Sequence, residues 1–184
     1  IHAHIVRMAL HAEREEPKTI WPLFLDQLIS ELGSRGVQSL IVEVSETGDE
    51  LVWLRQAGFA VYTRQDIWLN QEAREQNHGD LFRVRQPLDD WDIQLLYAHT
   101  VPPMVQLVEP LPPLDRGKGW VLREGQELAA FVHLHDGPTA TWMRFFIHPN
   151  AETAVETIVA AALQLCRPHP HHPLYCCVRR DQSW

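Results

Sequence analysis

The residues able to bind a metal or move a proton fall into three groups. His169-Pro170-His171-His172 lies between Cys166 and Cys176, and imidazole with thiolate is the usual donor set for zinc. Prolines hold that loop extended and no second paired motif accompanies it, so it reads as a solvated loop. His2-Ala3-His4 puts two imidazoles on one side of a strand, but at a terminus that frays. No metal site is expected from either. Histidine is the side chain suited to general acid–base work near neutral pH, and His133, His135 and His148 are the candidates for a general base. Each also reads as a strand-end histidine meeting water or a backbone carbonyl. The chain carries no Gly-x-Ser-x-Gly, no phosphate-cradling Walker loop and no Cys-x-x-Cys. Its tryptophans are scattered at helix starts and strand ends and read as core and rim packing.

Composition narrows the partners. The 184 residues are 45% hydrophobic and 22% charged, which is ordinary for a globular protein. A formal net charge of -8 and the lack of any basic run argue against a phosphate backbone, so no nucleic acid is expected. No apolar stretch nears the roughly 20 residues that cross a bilayer, and no signal peptide of the usual layout is present, so no membrane partner is expected. Cys166, Cys176 and Cys177 make no disulfide framework. Neighbours in a strand point to opposite faces, so Cys176 and Cys177 should not bond to each other. Three free thiols and a cytoplasmic location follow.

Hydrophobic periodicity places the elements. Residues 4–11 read as a strand. A helix begins near Thr19, with Pro22 in its first turn and Ile20, Leu23, Phe24, Leu28 and Leu32 as its apolar face. A strand from Leu40 to Val44, a helix from Asp49 to Ala57 and a strand from Phe59 to Trp68 follow. Gly58 ends that helix because glycine alone takes the left-handed cap conformation without steric cost. The wholly polar residues 71–80 read as a linker. Beyond it come a strand from Leu81 to Arg85 and a helix capped by Asp89 or Asp90, with Trp91, Leu95 and Ala98 inward. A shorter amphipathic piece leads to Glu109. Strands Trp120–Arg123 and Leu128–His135 form a hairpin around Glu124-Gly125-Gln126. Asp136-Gly137-Pro138 turns into the strand Ala140–His148. A helix from Ala151 to Leu165 presents Val155, Ile158, Ala162 and Leu165 on one face, and Leu174–Arg179 is the last strand.

The two halves repeat one another. Arg7-Met8-Ala9-Leu10-His11-Ala12-Glu13 aligns with Arg144-Phe145-Phe146-Ile147-His148-Pro149-Asn150. In both, a strand ending Arg-x-x-x-His leads into a helix and then a buried strand, which predicts an internal duplication with equivalent strands and helices.

The strand–helix–Gly-Phe–strand order around Gln56-Ala57-Gly58-Phe59-Ala60-Val61-Tyr62 resembles the close of the GNAT acetyltransferase fold, and Ile147-His148-Pro149-Asn150 is similar to that family's strand end before its cofactor loop. The resemblance implies an α+β fold: a GNAT-like mixed, mostly antiparallel sheet with helices on both faces, assembled from parts of two related modules. Residues 1–70 match the C-terminal half of a first module, 71–80 the linker, and 81–184 the N-terminal and central part of a second. The early pieces then complete the later module within one chain, or two chains exchange them as a homodimer. The first arrangement is the one expected, and it places part of Phe59–Trp68 beside Leu174–Val178.

In that family coenzyme A lies where the fourth and fifth strands splay apart, and backbone N–H groups at the next helix start hold its pyrophosphate. The resemblance implies an acyltransferase moving an acyl group from acetyl-coenzyme A to a small-molecule or peptide amine, with Ile147, His148, Thr153 and Ala154 at the cofactor. The family's Arg/Gln-x-x-Gly-x-Gly/Ala pattern is absent from both copies. Pro149 to Glu156 contains neither glycine nor arginine, and Ala12 to Lys18 sets carboxylates where a diphosphate would lie. Many members use a tyrosine as the acid four residues before the closing glycine; Leu54 stands there. Weak or absent coenzyme binding is therefore expected, and no catalytic side chain is assigned. The alternative is a catalytically silent GNAT-like module used for ligand binding or assembly.

Overall fold

Parallel strands need a crossover connection, and the first long helix supplies one. In the computed structural model, which describes residues 2–5, 17–70, 81–166 and 172–182, strand β1 (His2–Ile5) pairs in parallel with β2 (Ser39–Val42), and helix α1 (Pro17–Ser34) lies between them in sequence. The Arg7-to-His11 motif, the 71–80 linker and the residues His169, Pro170 and His171 fall outside the described residues. Two compact units form, Ile1–Tyr62 and Thr63–Trp184.

In the first unit, α1 starts earlier than Thr19, because Pro17 suits a first helical position, and Pro22 consequently lies beyond the first turn. Its buried face is also not the expected one. Trp21 and Leu25 are buried, whereas Leu23 and Phe24 are exposed. The indole of Trp21 stacks on Trp53 of helix α2 (Glu50–Gln56), ring centroids 6.0 Å apart, and this contact rotates Trp21, Leu25, Leu28 and Leu32 to one side. Helix α2 ends as its sequence dictates. Gly58 takes φ +88°, its N–H donates to Arg55 O and the Phe59 N–H to Leu54 O, the paired bonds of a Schellman cap.

The strand expected from Phe59 begins six residues later, as β3 (Gln65–Asn70). β-Propensity only marks residues that fit a pleated surface, and a strand exists where a partner is present. The partner is β8 (Leu174–Arg179). It pairs antiparallel with β3 from Gln65 opposite Arg179 to Asn70 opposite Leu174, and the last bond upstream is Arg180 N–H to Arg64 O. An early strand therefore lies beside Leu174–Arg179 at the edge of the later sheet.

That sheet has six strands in the order β3-β8-β7-β6-β5-β4, where β4 is Arg83–Val84, β5 Lys118–Glu124, β6 Glu127–Asp136 and β7 Thr141–Ile147. Only β7 and β8 pair in parallel; the fold is α+β with a mixed, mostly antiparallel sheet. Helix α5 (Val155–Leu163) packs Ile158 and Ala162 into one core with Val132, Phe145, Ile147 and Leu174. Successive strand residues face opposite ways, and Phe146, next to Phe145, meets Tyr97 of helix α3 (Asp90–Thr100) on the other side, ring centroids 5.8 Å apart. A short helix α4 (Pro103–Val108) follows α3.

Helix α3 turns a different face inward from the expected one. Ile93, Leu96 and Tyr97 are buried; Trp91 is 73% exposed, and Leu95 is exposed too. Ion pairs at the helix start fix this rotation. Asp89, in a 3-10 turn (Pro87–Asp89), is fully buried and caps no α-helix N–H. Its carboxylate accepts from both Arg83 Nη atoms at 2.8 and 2.6 Å, from Arg123 Nη2 at 2.9 Å and from the Gln86 N–H at 2.8 Å. Arg123 also binds Asp92, one turn on. With Asp89 and Asp92 held to the sheet edge, the residues that continue that helical face are Ile93 and Leu96.

Candidate functional site

A parallel pair that stops pairing before its strands end leaves backbone groups for another partner. β7 and β8 are in register from Thr141 opposite Leu174 to Arg144 opposite Cys177, yet β7 runs on to Ile147 and β8 to Arg179. Past Arg144 the two strands part. A narrow pocket opens at this fork, with Tyr97, Arg144, Phe146, Cys177, Arg179 and Gln182 in its walls.

The chain's own side chains reach into the fork. Gln182, just past β8, donates from Nε2 to Phe145 O at 2.9 Å. Tyr97 donates its hydroxyl to Glu109 O. Burial pushes that phenol above its usual pKa, so its proton stays on oxygen and is committed to a carbonyl. Arg179 pairs through Nε with Asp181 Oδ1 at 3.1 Å, while its buried Nη2 has no hydrogen-bond partner among the described residues.

The loop before α5 holds the residues assigned to the cofactor. Ile147 is buried at the end of β7, and the His148 N–H donates to Ala129 O at 2.8 Å. His148 Nδ1 accepts from the Asn150 N–H at 3.2 Å. The helix expected from Ala151 begins only at Val155; Thr153 and Ala154 precede it, with Ala154 extended at the N-cap position. The reason is a carboxylate. Glu124, at the hairpin turn between β5 and β6, accepts from the Glu152 N–H at 2.6 Å and the Thr153 N–H at 2.8 Å. Burial pushes the Glu124 carboxyl up, but the hydrogen bonds from Thr153 and Glu152 outweigh it and leave its pKa below the ordinary value. Glu124 is thus an anion held on the donors that lead into the helix.

The candidate bases are not gathered here. His133 is buried, and its Nε2 lies 2.8 Å from Arg116 O, so that nitrogen carries the proton and donates it. Burial lowers its pKa and keeps the ring neutral at pH 7. His135 is exposed near the other end of β6. Leu54, at the position of the family's acid tyrosine, is a core residue of the first unit. Among the described residues, no group of His, Cys, Asp or Glu side chains could hold a metal. No described helix is long and apolar enough to cross a membrane.

Cys166, Cys176 and Cys177 form no disulfide among the described residues. Burial, reinforced by the neighbouring thiols, pushes Cys176 up to about 12, so it is an inert core thiol. Titration with a thiol reagent should return three groups in denaturant, with Cys176 silent in the native protein; a denatured count of one would mean a disulfide.

The sequence reading passed over Glu124, Arg179 and Gln182. Glu124 reads as a turn residue, and nothing local marks its carboxylate as a ligand for N–H groups 28 residues away. Arg179 carried a faint signal. It ends a strand that alternates about a buried face, and its parity places it with Cys177 rather than with buried Cys176. Comparison with known proteins finds no family model and no curated protein that matches this chain.

Proposed function

We propose that this chain is a GNAT-like module that holds a small ligand and transfers no acyl group. Supporting the family reading are the forked parallel strands β7 and β8, the closing Gly58-Phe59 cap, and a parallel strand pair with an intervening helix in each half. The tandem reading rests on the same pair of strand–helix–strand units.

The observation that carries the silent reading is Glu124 on the Glu152 and Thr153 N–H groups. These are the donors a pyrophosphate would need. A coenzyme must displace that carboxylate and then bear its charge, a penalty of about 1 kcal/mol even at a water-like dielectric. The missing arginine removes a charge-assisted contact of about 1.5–3 kcal/mol. Together these weaken binding by well over tenfold. Gln182 adds a second obstruction by occupying Phe145 O inside the fork.

A second reading, acyl transfer from acetyl-coenzyme A to an amine, is favoured by the fork itself. A thioester lying there would meet backbone groups of β7, and a deprotonated amine would attack its carbonyl directly. Calorimetric titration with acetyl-coenzyme A separates the two. The native chain should bind more weakly than about 1 μM, and Glu124→Ala should bind about tenfold more tightly by freeing both donors. Submicromolar binding by the native chain, or acyl transfer to any amine, would overturn the silent reading.

A further inference from the structure

The six-stranded sheet ends on β3, and the hydrogen bonds on its paired side fix what its other side offers. In an antiparallel pair, residues that exchange backbone bonds alternate with residues that do not. The Arg180 N–H donates to Arg64 O at 2.9 Å, so Asp66 and Trp68, two and four residues on, also turn their backbone groups toward β8. The far side of β8 agrees. The Thr141 N–H donates to Pro173 O at 2.9 Å, which turns the odd-numbered residues there toward β7 and the even-numbered ones toward β3. The N–H and C=O groups of Gln65, Ile67 and Leu69 therefore point away from β8, where no described strand pairs with them.

Side chains on this edge are apolar on both faces. Ile67 and Leu69 are 49% and 44% exposed on one, and Trp68 is 65% exposed on the other. An apolar row runs inward from Leu69, which lies opposite Tyr175, whose ring stacks on Trp142 with centroids 4.9 Å apart. Natural sheets blunt an open edge with lysine or proline, and Gln65–Asn70 carries neither. Its single charge, Asp66, is paired with Arg180 at 2.8 Å.

The segment is complementary to itself. A two-fold axis at Trp68 sets it against the partner's Trp68, Ile67 against the partner's Leu69, and Asp66 against the partner's Asn70. Apolar residues then meet apolar ones and no like charges face each other. The backbone parity fits this register. Ile67 and Leu69 exchange hydrogen bonds with the partner, and the Trp68 pair is the non-bonded kind whose side chains lie closest. An axis at Ile67 would set a carboxylate against an indole, and one at Asp66 would oppose two carboxylates. We propose that β3 joins two copies of this chain edge to edge into one continuous sheet, with Trp68 at the two-fold axis. Each copy keeps its own β3, and the closed symmetry stops growth at two. The dimer goes beyond the ligand-binding reading and stands whether or not the fork holds a ligand.

Sedimentation equilibrium on the full chain tests it. A strand-sized interface is at the weak end of the range, so the mass should rise from 21.3 kDa toward twice that between about 5 and 500 μM. Ile67→Pro removes a donor that faces the partner and none that faces β8, so it should stay folded and dimerise at least about tenfold more weakly. Trp68→Lys sets two ammonium groups at the axis and should weaken the dimer as much. Trp91→Lys alters a tryptophan on α3 that is 73% exposed, and should leave the affinity unchanged. Circular dichroism confirms that each variant is folded. A single-chain mass at about 500 μM overturns the proposal and is what an edge reserved for a foreign peptide would give. So does a folded Ile67→Pro or Trp68→Lys that dimerises like the native chain, dissociation in Trp91→Lys, or growth beyond two copies.

Discussion

Asp89→Asn should lower the unfolding free energy by about 3 kcal/mol at pH 7, the cost of removing one partner from a buried ion pair. The carboxylate is fully buried under Arg83, Arg123 and the Gln86 N–H, so the amide leaves two guanidinium groups facing a neutral side chain. Arg83 is 42% exposed at its side chain and recovers some hydration, which keeps the loss at the lower end of the range for such sites. For a chain of this size the change corresponds to a fall in Tm of about 6–12 °C. The Arg83 guanidinium, with Gln86 and Arg123, holds the Asp89 carboxyl well below the usual carboxylate range. A depressed folded pKa means that the contribution is whole above the unfolded value near 4 and is lost as pH falls through the folded one. The difference between native and variant proteins should therefore narrow by about 1 kcal/mol at pH 3. Urea denaturation at both pH values measures it. A loss under about 1 kcal/mol at pH 7, or a gap of constant width, would remove the ion-pair account of how α3 is fixed.

Gly117→Ala should be comparably severe, at about 3 kcal/mol. Gly117 has φ +78°, and a Cβ there would lie 2.2 Å from Leu134 O and 3.0 Å from His133 Nε2. The carbonyl belongs to β6, inside the sheet, and cannot move aside without breaking the ladder. Displacing the loop instead breaks the bond from His133 Nε2 to Arg116 O and leaves a buried imidazole N–H unpaired. Gly125 provides the control. It has φ +62° with open space around it, so Gly125→Ala costs only the left-handed conformation, about 1 kcal/mol. Equal losses at the two positions in chemical denaturation would show that the close approach at Gly117 carries no energy.

Local signals were read well and nonlocal ones poorly. The hairpin around Gly125, the cap at Gly58 and the strand Leu174–Arg179 all follow from turn chemistry and alternation over a few residues. The inward face of α3 did not follow, because Trp91 and Leu95 fit a helical stripe as well as Ile93 and Leu96 do. What chose between them was Arg123, more than 30 residues away in sequence. The start of β3 was misplaced for a similar reason, since Phe59 to Arg64 has strand composition but the register with β8 stops at Gln65 opposite Arg179. At the candidate site the loop's position after β7 was legible from Ile147-His148-Pro149-Asn150. Its occupant was not, because a turn glutamate reveals its target only once the hairpin has folded back beside α5.

The pairing of β3 with β8 also sets a timetable for synthesis. Gln65–Asn70 leaves the ribosome long before Leu174–Arg179 exists; the Arg180–Asp66 ion pair that closes this edge joins residues 114 apart. At ~5–20 residues per second the early strand waits roughly 5–25 s for its partner. During that interval Ile67, Trp68 and Leu69, which stay exposed even in the finished sheet, stand on an unpaired strand whose backbone is free to template with other chains. Until Leu174–Arg179 is made, this segment is an open edge of the kind that invites aggregation, and pairing it means closing a loop of more than 100 residues, a step whose entropic cost slows folding.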